Sequence, residues 1–332
     1  MDPLFTAVVT GANSGVGLAL CERLLTQYPK LKLCMVCRNK QKGESAKNAL
    51  LVVHPDAVIS LVIGDVSSIV SVKQFTQEIK QQFSHINFLF LNAGIMANPK
   101  VKFETVISTL FQPSKLVHRF STGADLLEIA DDTTKEGFKM TFATNVFGHF
   151  CMVKELDDVL GGEEPSRIVW TSSRTSSREV FSVADIQHTS GRDPYASSKY
   201  LIDSLSVVMN DKLRAKNITT NTTCPGLTQS GISLGILPWW FWYLILPIIK
   251  LLRLFVPSFT WEPYNGAEAL IWLTTQKPSA LDPLCKYYSM CTVLGRAYTS
   301  TAKIDVDMME AENCYQQLEE LLRNFKPVPD VS

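Results

Sequence analysis

Tyr195 and Lys199 stand four residues apart at the start of a stretch, residues 195 to 213, that reads as one long helix, so a phenol and an ammonium share a helix face. A cation beside a phenol favours the phenolate. The spacing therefore predicts a Tyr195 pKa lowered from about 10 toward the working pH, which suits a proton donor to a carbonyl oxygen. A serine hydroxyl within reach of the same oxygen would orient the carbonyl and stabilise the charge that develops on it. Reduction would then need only a hydride.

A place for a hydride carrier lies near the other end of the chain. Thr10, Gly11, Ala12, Asn13, Ser14, Gly15, Val16 and Gly17 follow a short apolar run and open a helical pattern. The three glycines permit a tight turn and let a pyrophosphate approach the free N–H groups of a helix N-terminus, where the helix dipole favours anions. The second strand then ends in Cys37-Arg38-Asn39, without the acid that would hold the ribose hydroxyls of NAD. A guanidinium there suits the 2′-phosphate of NADP through bidentate charge-assisted bonds, the alternative being a solvated arginine at a strand end. The cofactor expected is NADPH/NADP, and the direction is reduction.

These groups need a scaffold, and the hydrophobic pattern supplies one. Apolar runs at 6–10, 31–37, 58–63 and 86–91 alternate with amphipathic stretches at 17–28, 39–52 and 70–83, and further strands are expected at 168–171 and 218–224. Such alternation predicts an α/β fold of the Rossmann type, a doubly wound parallel sheet covered on both faces, with ligands at the carboxyl ends of the strands. The 32 basic and 32 acidic residues balance, which argues against nucleic acid as a partner. The eight cysteines show no repeating spacing and read as reduced, packed thiols. Cys34 and Cys37 fall three apart in a strand and should point to opposite faces, unable to hold one ion. The five histidines have no metal-ligand spacing, and no metal is expected.

Further motifs follow in order along the chain: Asp65-Val66, Asn92-Ala93-Gly94, Asn145, Ser172-Ser173, the Tyr195/Lys199 pair and Pro225-Gly226. Together with the glycine-rich turn they resemble the short-chain dehydrogenase/reductase family. The resemblance implies that all of these except Asn145, Ser172 and Ser173 help bind the dinucleotide, Tyr195 and Lys199 among them. It also implies that Asn145 completes a catalytic set with a serine, Tyr195 and Lys199, holding a water that links Lys199 to solvent. The family commonly places its serine 13 residues before the tyrosine, at Ser182, whereas the strand-end string Ile168-Val-Trp-Thr-Ser-Ser173 points to Ser173. A strand end is fixed in the sheet and an insertion only lengthens a loop, so Ser173 is expected to orient the carbonyl and bind substrate, with Ser182 lining the substrate pocket. The strings around Asn92, Asn145, Ser173 and Tyr195 are similar to family members that reduce steroid ketones. They imply a sterol 3-ketone of the zymosterone type, in sterol biosynthesis, or a steroid 17-ketone such as estrone. A retinal or lipid ketone reductase is one alternative. A catalytically idle NADP-binding membrane scaffold is another.

The chain divides into a catalytic part, residues 1–231, an apolar segment at 232–257, and a C-terminal part at 258–332 that completes the fold and ends in an amphipathic helix at 306–325. Residues 100 to 132 form a surface insertion, expected to be helical, which leaves the oligomeric state open. Residues 217–249 carry no charge, and Pro238 and Pro247 interrupt a run whose tryptophans suit a membrane interface. A one-sided or re-entrant attachment to lipid is the preferred reading, ahead of a true span or a pocket lid. The N-terminus has no signal-peptide pattern. The resemblance implies the endoplasmic reticulum membrane, with the catalytic face in the cytosol.

Overall fold

A computed structural model describes residues 5–97, 99–101, 104, 105, 108, 127–228 and 257–327. Strand β1 (Thr6–Thr10) is buried along its whole length, as a central strand covered on both faces must be. It leads to α1 (Gly15–Gln27), β2 (Lys32–Cys37), α2 (Lys40–Val53), β3 (Val58–Ile63), α3 (Ile69–Gln82) and β4 (Phe88–Leu91). Each of these matches the sequence pattern to within two residues at most boundaries. Helix α1 buries Val16, Leu20 and Leu24, four apart, on the sheet. Asn39 starts α2 by accepting the Lys42 N–H, and Ser68 starts α3. Glu136 reinforces the second cap, its carboxylate taking the Ile69 and Val70 N–H groups at 2.7 and 3.1 Å.

The insertion begins and ends as an antiparallel ribbon of β5 (Pro99–Val101) and β6 (Leu127–Ile129), with Lys100 opposite Glu128. Of the helical excursion expected between them only Glu104, Thr105 and Ser108 are described, all helical, and the apolar segment up to Val256 falls outside the described residues. A helical turn at Met140–Phe142 and a π-helical turn at Ala143–Phe147 run into α4 (Gly148–Glu155). Then come β7 (Ser166–Thr171), α5 (Pro194–Leu213), β8 (Ile218–Cys224), α6 (Pro263–Gly266), α7 (Glu268–Thr275), β9 (Cys285–Cys291), β10 (Ala297–Lys303) and α8 (Met308–Asn324).

The sheet runs β10-β9-β8-β7-β4-β1-β2-β3, all parallel except the β9–β10 hairpin. Strand order reverses between β1 and β4, which opens a crevice at their carboxyl ends. One hydrophobic core lies on each face. Cys34 packs in one and Cys37 in the other, so their side chains do point apart. The hairpin is the main addition to the sequence pattern. Strand β10 is largely exposed and polar, so it lacks the apolar run that marks a buried strand. Helix α8 buries Ala311, Cys314, Tyr315 and Leu318 against α5, the stripe expected of the amphipathic tail.

One close approach ties the layers together near the reacting groups. A Cβ on Gly148, at the start of α4, would lie 1.7 Å from the Val66 carbonyl oxygen. Gly148→Ala should lower stability by about 2 kcal/mol or more, because backbone rather than a flexible side chain must yield. Chemical denaturation with an unshifted midpoint would contradict this packing.

Candidate active site

Thr10 ends β1 where the sheet meets the glycine-rich turn. Its buried hydroxyl accepts the N–H groups of Asn92 and Ala93, each at 2.9 Å, and Asn92 Nδ2 donates to its carbonyl at 3.0 Å. Gly11 and Gly15 adopt φ of +66° and +55°, a region closed to most side chains. A Cβ on Gly17 would fall 2.3 Å from the Gly11 carbonyl oxygen. Ser14 is the N-cap of α1 yet makes no side-chain cap bond, so no side chain competes for the N–H groups an anion would take. Asn13 and Gly15 line the turn half-exposed, and Val16 is buried.

The rest of the cradle is laid out along the strand ends. Arg38 has 69% of its side chain exposed and pairs loosely with Asp65 at 3.6 Å. Asp65 also holds the Ser67 N–H and hydroxyl, Asn39 is committed to capping α2, and Val66 packs beneath Gly148. Beyond β8, Gly226 has φ of +76°, and Thr260 donates to the Pro225 carbonyl at 2.8 Å. A glycine turn on an open helix N-terminus with a largely exposed guanidinium at the next strand end fits a dinucleotide that carries a 2′-phosphate.

Tyr195 and Lys199 occupy the first turns of α5, whose start is fixed by Asp193 accepting the Ala196 N–H and by Pro194. Lys199 Nζ lies 5.3 Å from the Tyr195 ring centroid and donates to the Thr171 carbonyl at 2.8 Å. The hydroxyl that bonds Tyr195 is that of Ser173. Ser173 Oγ also accepts the Thr175 N–H and hydroxyl at 3.2 and 2.9 Å, which turns its single proton toward the phenol oxygen. Asn145 sits in the π-helical turn, its amide exchanging two bonds with the Ile95 backbone and donating to Ser198 Oγ at 3.0 Å. A Cβ on Gly94 would lie 3.3 Å from Asn145 Oδ1 and 3.5 Å from Lys199 Nζ, so three expected site residues converge there.

The short chain dehydrogenase family model matches residues 5–237. The chain belongs to that family. This dehydrogenase is 45% identical to the human 3-keto-steroid reductase/17-beta-hydroxysteroid dehydrogenase 7, over 96% of this chain and 94% of the relative. A 3-keto-steroid reductase of Schizosaccharomyces pombe is 27% identical, over 96% and 97% of the two chains. Among solved structures, levodione reductase superposes with a TM-score of 0.60 at 20% identity, covering 84% of this chain and 93% of its own.

One expectation about the dehydrogenase's site needs correction. The Tyr195 phenol is raised, not lowered. Its surroundings desolvate it and outweigh the Ser173 hydrogen bond, while Lys199 spends a bond on Thr171. Burial acts on Lys199 too, pulling it down to about 8 against the field of Asp203. Ser182 lies beyond the Ser173–Ser176 turn. It is exposed at the head of a short turn, Val183–Asp185, that contacts α8.

Thr171, Thr175, Ser198 and His149 were not legible beforehand. His149 is buried and its pKa is lowered to about 4 by burial, so it is neutral. Its Nδ1 lies 3.3 Å from the Asn145 carbonyl, which can only accept, and its Nε2 lies 3.0 Å from the Thr10 hydroxyl. The proton therefore sits on Nδ1. The sequence signal was a histidine four residues after Asn145 in a helical pattern.

Because Lys199 is lowered, its cationic form prevails below pH 8 and is lost above it. Turnover in the reducing direction should be level below about pH 8 and fall about tenfold per unit above it. In Lys199→Arg, whose cation persists, the alkaline fall should vanish at a lower plateau. A pH–rate profile that keeps the fall in Lys199→Arg would assign it to another group.

Proposed function

We propose that this protein uses NADPH to reduce the 3-keto group of a sterol intermediate of the zymosterone type, with the 17-keto group of estrone as a second substrate. The observation that carries the reading is the Ser173–Tyr195–Lys199 geometry in a chain 45% identical, along nearly its full length, to a relative named for 3-keto-steroid reduction. NADPH rather than NADH is supported by Arg38, exposed at the end of β2 with no acid beside it in the sequence.

The chain's own groups divide the work. NADPH, when bound, supplies the hydride. Thr10, Gly11, Gly15, Gly17, Asn92 and Gly94 would hold it at the crevice between β1 and β4, with Arg38 on the 2′-phosphate. Ser173, its lone pairs occupied by Thr175, presents a donor to the substrate oxygen and fixes its direction. Tyr195 keeps its proton because it is desolvated, and gives it up only to an oxygen that is gaining negative charge. Lys199 places a cation beneath the ring and stabilises the phenolate left behind.

Attachment to the endoplasmic reticulum membrane through residues 232–256, with the catalytic face in the cytosol, completes the proposal and places the enzyme beside a substrate that dissolves in lipid. A helix that crosses once leaves its ends about 30 Å apart. Here the two flanks are bonded to each other, Leu227 N–H to the Ser258 carbonyl at 2.9 Å and Trp261 N–H to the Leu227 carbonyl at 2.8 Å. Among the described residues no helix is long and apolar enough to cross a membrane. These contacts support attachment from one side.

Two measurements test the proposal. Oxidation of NADPH in detergent, with zymosterone, estrone and retinal side by side, should be fastest with zymosterone. Arg38→Asp should raise the KM for NADPH about tenfold or more while sparing NADH. Turnover of retinal alone would overturn the substrate assignment. In sealed microsomes, protease sites introduced at the exposed Lys216 and Lys277, before and after the apolar segment, should both be cut from outside. Protection of one of the two would establish a span instead.

A further inference from the structure

Two buried charges lie beside the reacting groups and take no part in the mechanism above. Asp203 is one turn beyond Lys199 on the same face of α5, and Lys286 is on β9. Lys286 Nζ is 2.5 Å from Asp203 Oδ2, and the two side chains are 5% and 1% exposed. An apolar pair of similar volume would fill such a position at no loss of stability, so a buried ion pair is weak evidence of a purely structural purpose. What the pair touches is more informative. Lys286 Nζ donates to the Ser173 carbonyl at 2.9 Å, and the Ser176 hydroxyl donates to Asp203 Oδ2 at 2.5 Å.

The turn from Ser173 to Ser176 is thus tied at both ends to one ion pair. Thr175, inside that turn, holds the Ser173 hydroxyl. The carboxylate belongs to the helix that carries Tyr195 and Lys199, and the ammonium to a strand that pairs with β8. The distance between the Ser173 hydroxyl and the Tyr195 phenol is in this way set by a contact outside both residues.

We propose that Asp203 and Lys286 are positioning residues for carbonyl reduction, their ion pair fixing the Ser173–Ser176 turn so that the Ser173 hydroxyl and the Tyr195 phenol meet on one substrate oxygen. The proposal rests on the assignment of Ser173 and Tyr195 to ketone reduction, and the controls separate the two. The test is a double-mutant cycle in the full-length protein, read by NADPH oxidation with a 3-keto sterol and by fluorescence titration of NADPH. Lys286→Met alone strands a carboxylate, so the charge-free combination Asp203→Leu with Lys286→Met is the decisive variant. It should bind NADPH within about twofold of the parent and lose about tenfold or more in kcat.

Combined with Ser173→Ala, itself expected to cost about 100-fold, the charge-free pair should cost almost nothing further, because both changes remove the same alignment. If the charge-free variant does not fold, Ser176→Ala serves instead. It removes one tether and should lower kcat about threefold or more in the parent but not in the Ser173→Ala background. Losses that multiply in full with that of Ser173→Ala, or a kcat within about twofold of the parent, would overturn the positioning role. A parent enzyme that reduces no ketone would refute the reductase assignment instead.

Discussion

The hydroxyl of Thr10 closes the crevice on which the whole arrangement depends. A parallel sheet whose strand order reverses leaves two strand ends diverging, and here they are β1 and β4. Thr10 Oγ1 accepts the Asn92 and Ala93 N–H groups and bridges them, and its single proton lies between His149 Nε2 at 3.0 Å and the Phe90 carbonyl at 3.3 Å. The bonds continue in one direction. His149 Nδ1–H meets the Asn145 carbonyl, Asn145 Nδ2 donates to Ser198, and Ser198 donates to the Tyr195 carbonyl at 2.7 Å. Nucleotide turn and catalytic helix are joined by hydrogen bonds that are buried or partly buried, each with a partner on either side. Such a network is rigid because any member left unpaired would cost the full desolvation of a polar group.

Burial sets the chemistry of that helix as firmly as it sets its position. In water a phenol and an ammonium would settle their protonation between them. Inside the protein both charged forms are penalised, so the phenol keeps its proton and the ammonium holds its own weakly, at a pKa of about 8. A donor that stays neutral until negative charge appears on its acceptor is suited to completing a reduction. The nearby Asp203 and Lys286 act on Lys199 with opposite signs, so this second pair leaves a smaller field than either charge alone.

The C-terminal quarter of the described residues serves the site without contributing the residues that name the family. Helices α6 and α7 pack back on α1 and on strands β8 to β10, and β9 brings Lys286 beneath Ser173. The described residues break off at Thr228 and resume at Pro257, and a bridge between Thr228 and Trp261 joins the two flanks of the apolar segment. An apolar excursion can be added at such a point without disturbing the sheet, since the backbone bonds at its root are already satisfied.

The alternation of strands and helices, the glycine turn, Arg38 at the end of β2 and the four-residue spacing of Tyr195 and Lys199 could all be read from the sequence. Each depends on local periodicity or on groups a few residues apart. Ser173 was legible for a related reason, because a strand end has a fixed place in the sheet. What the sequence could not give is every quantity that depends on residues distant in the chain. The raised phenol needs the desolvating surroundings, and the exposure of Ser182 needs the path of a loop. The commitment of Asn145 to Ile95 needs two segments fifty residues apart to meet. Lys286 and Asp203 lie in unremarkable polar positions until β9 docks beside β8. Spacing along a chain fixes which side chains share a face, but burial and charge environment come from all the elements packed around that face, and only the folded molecule specifies them.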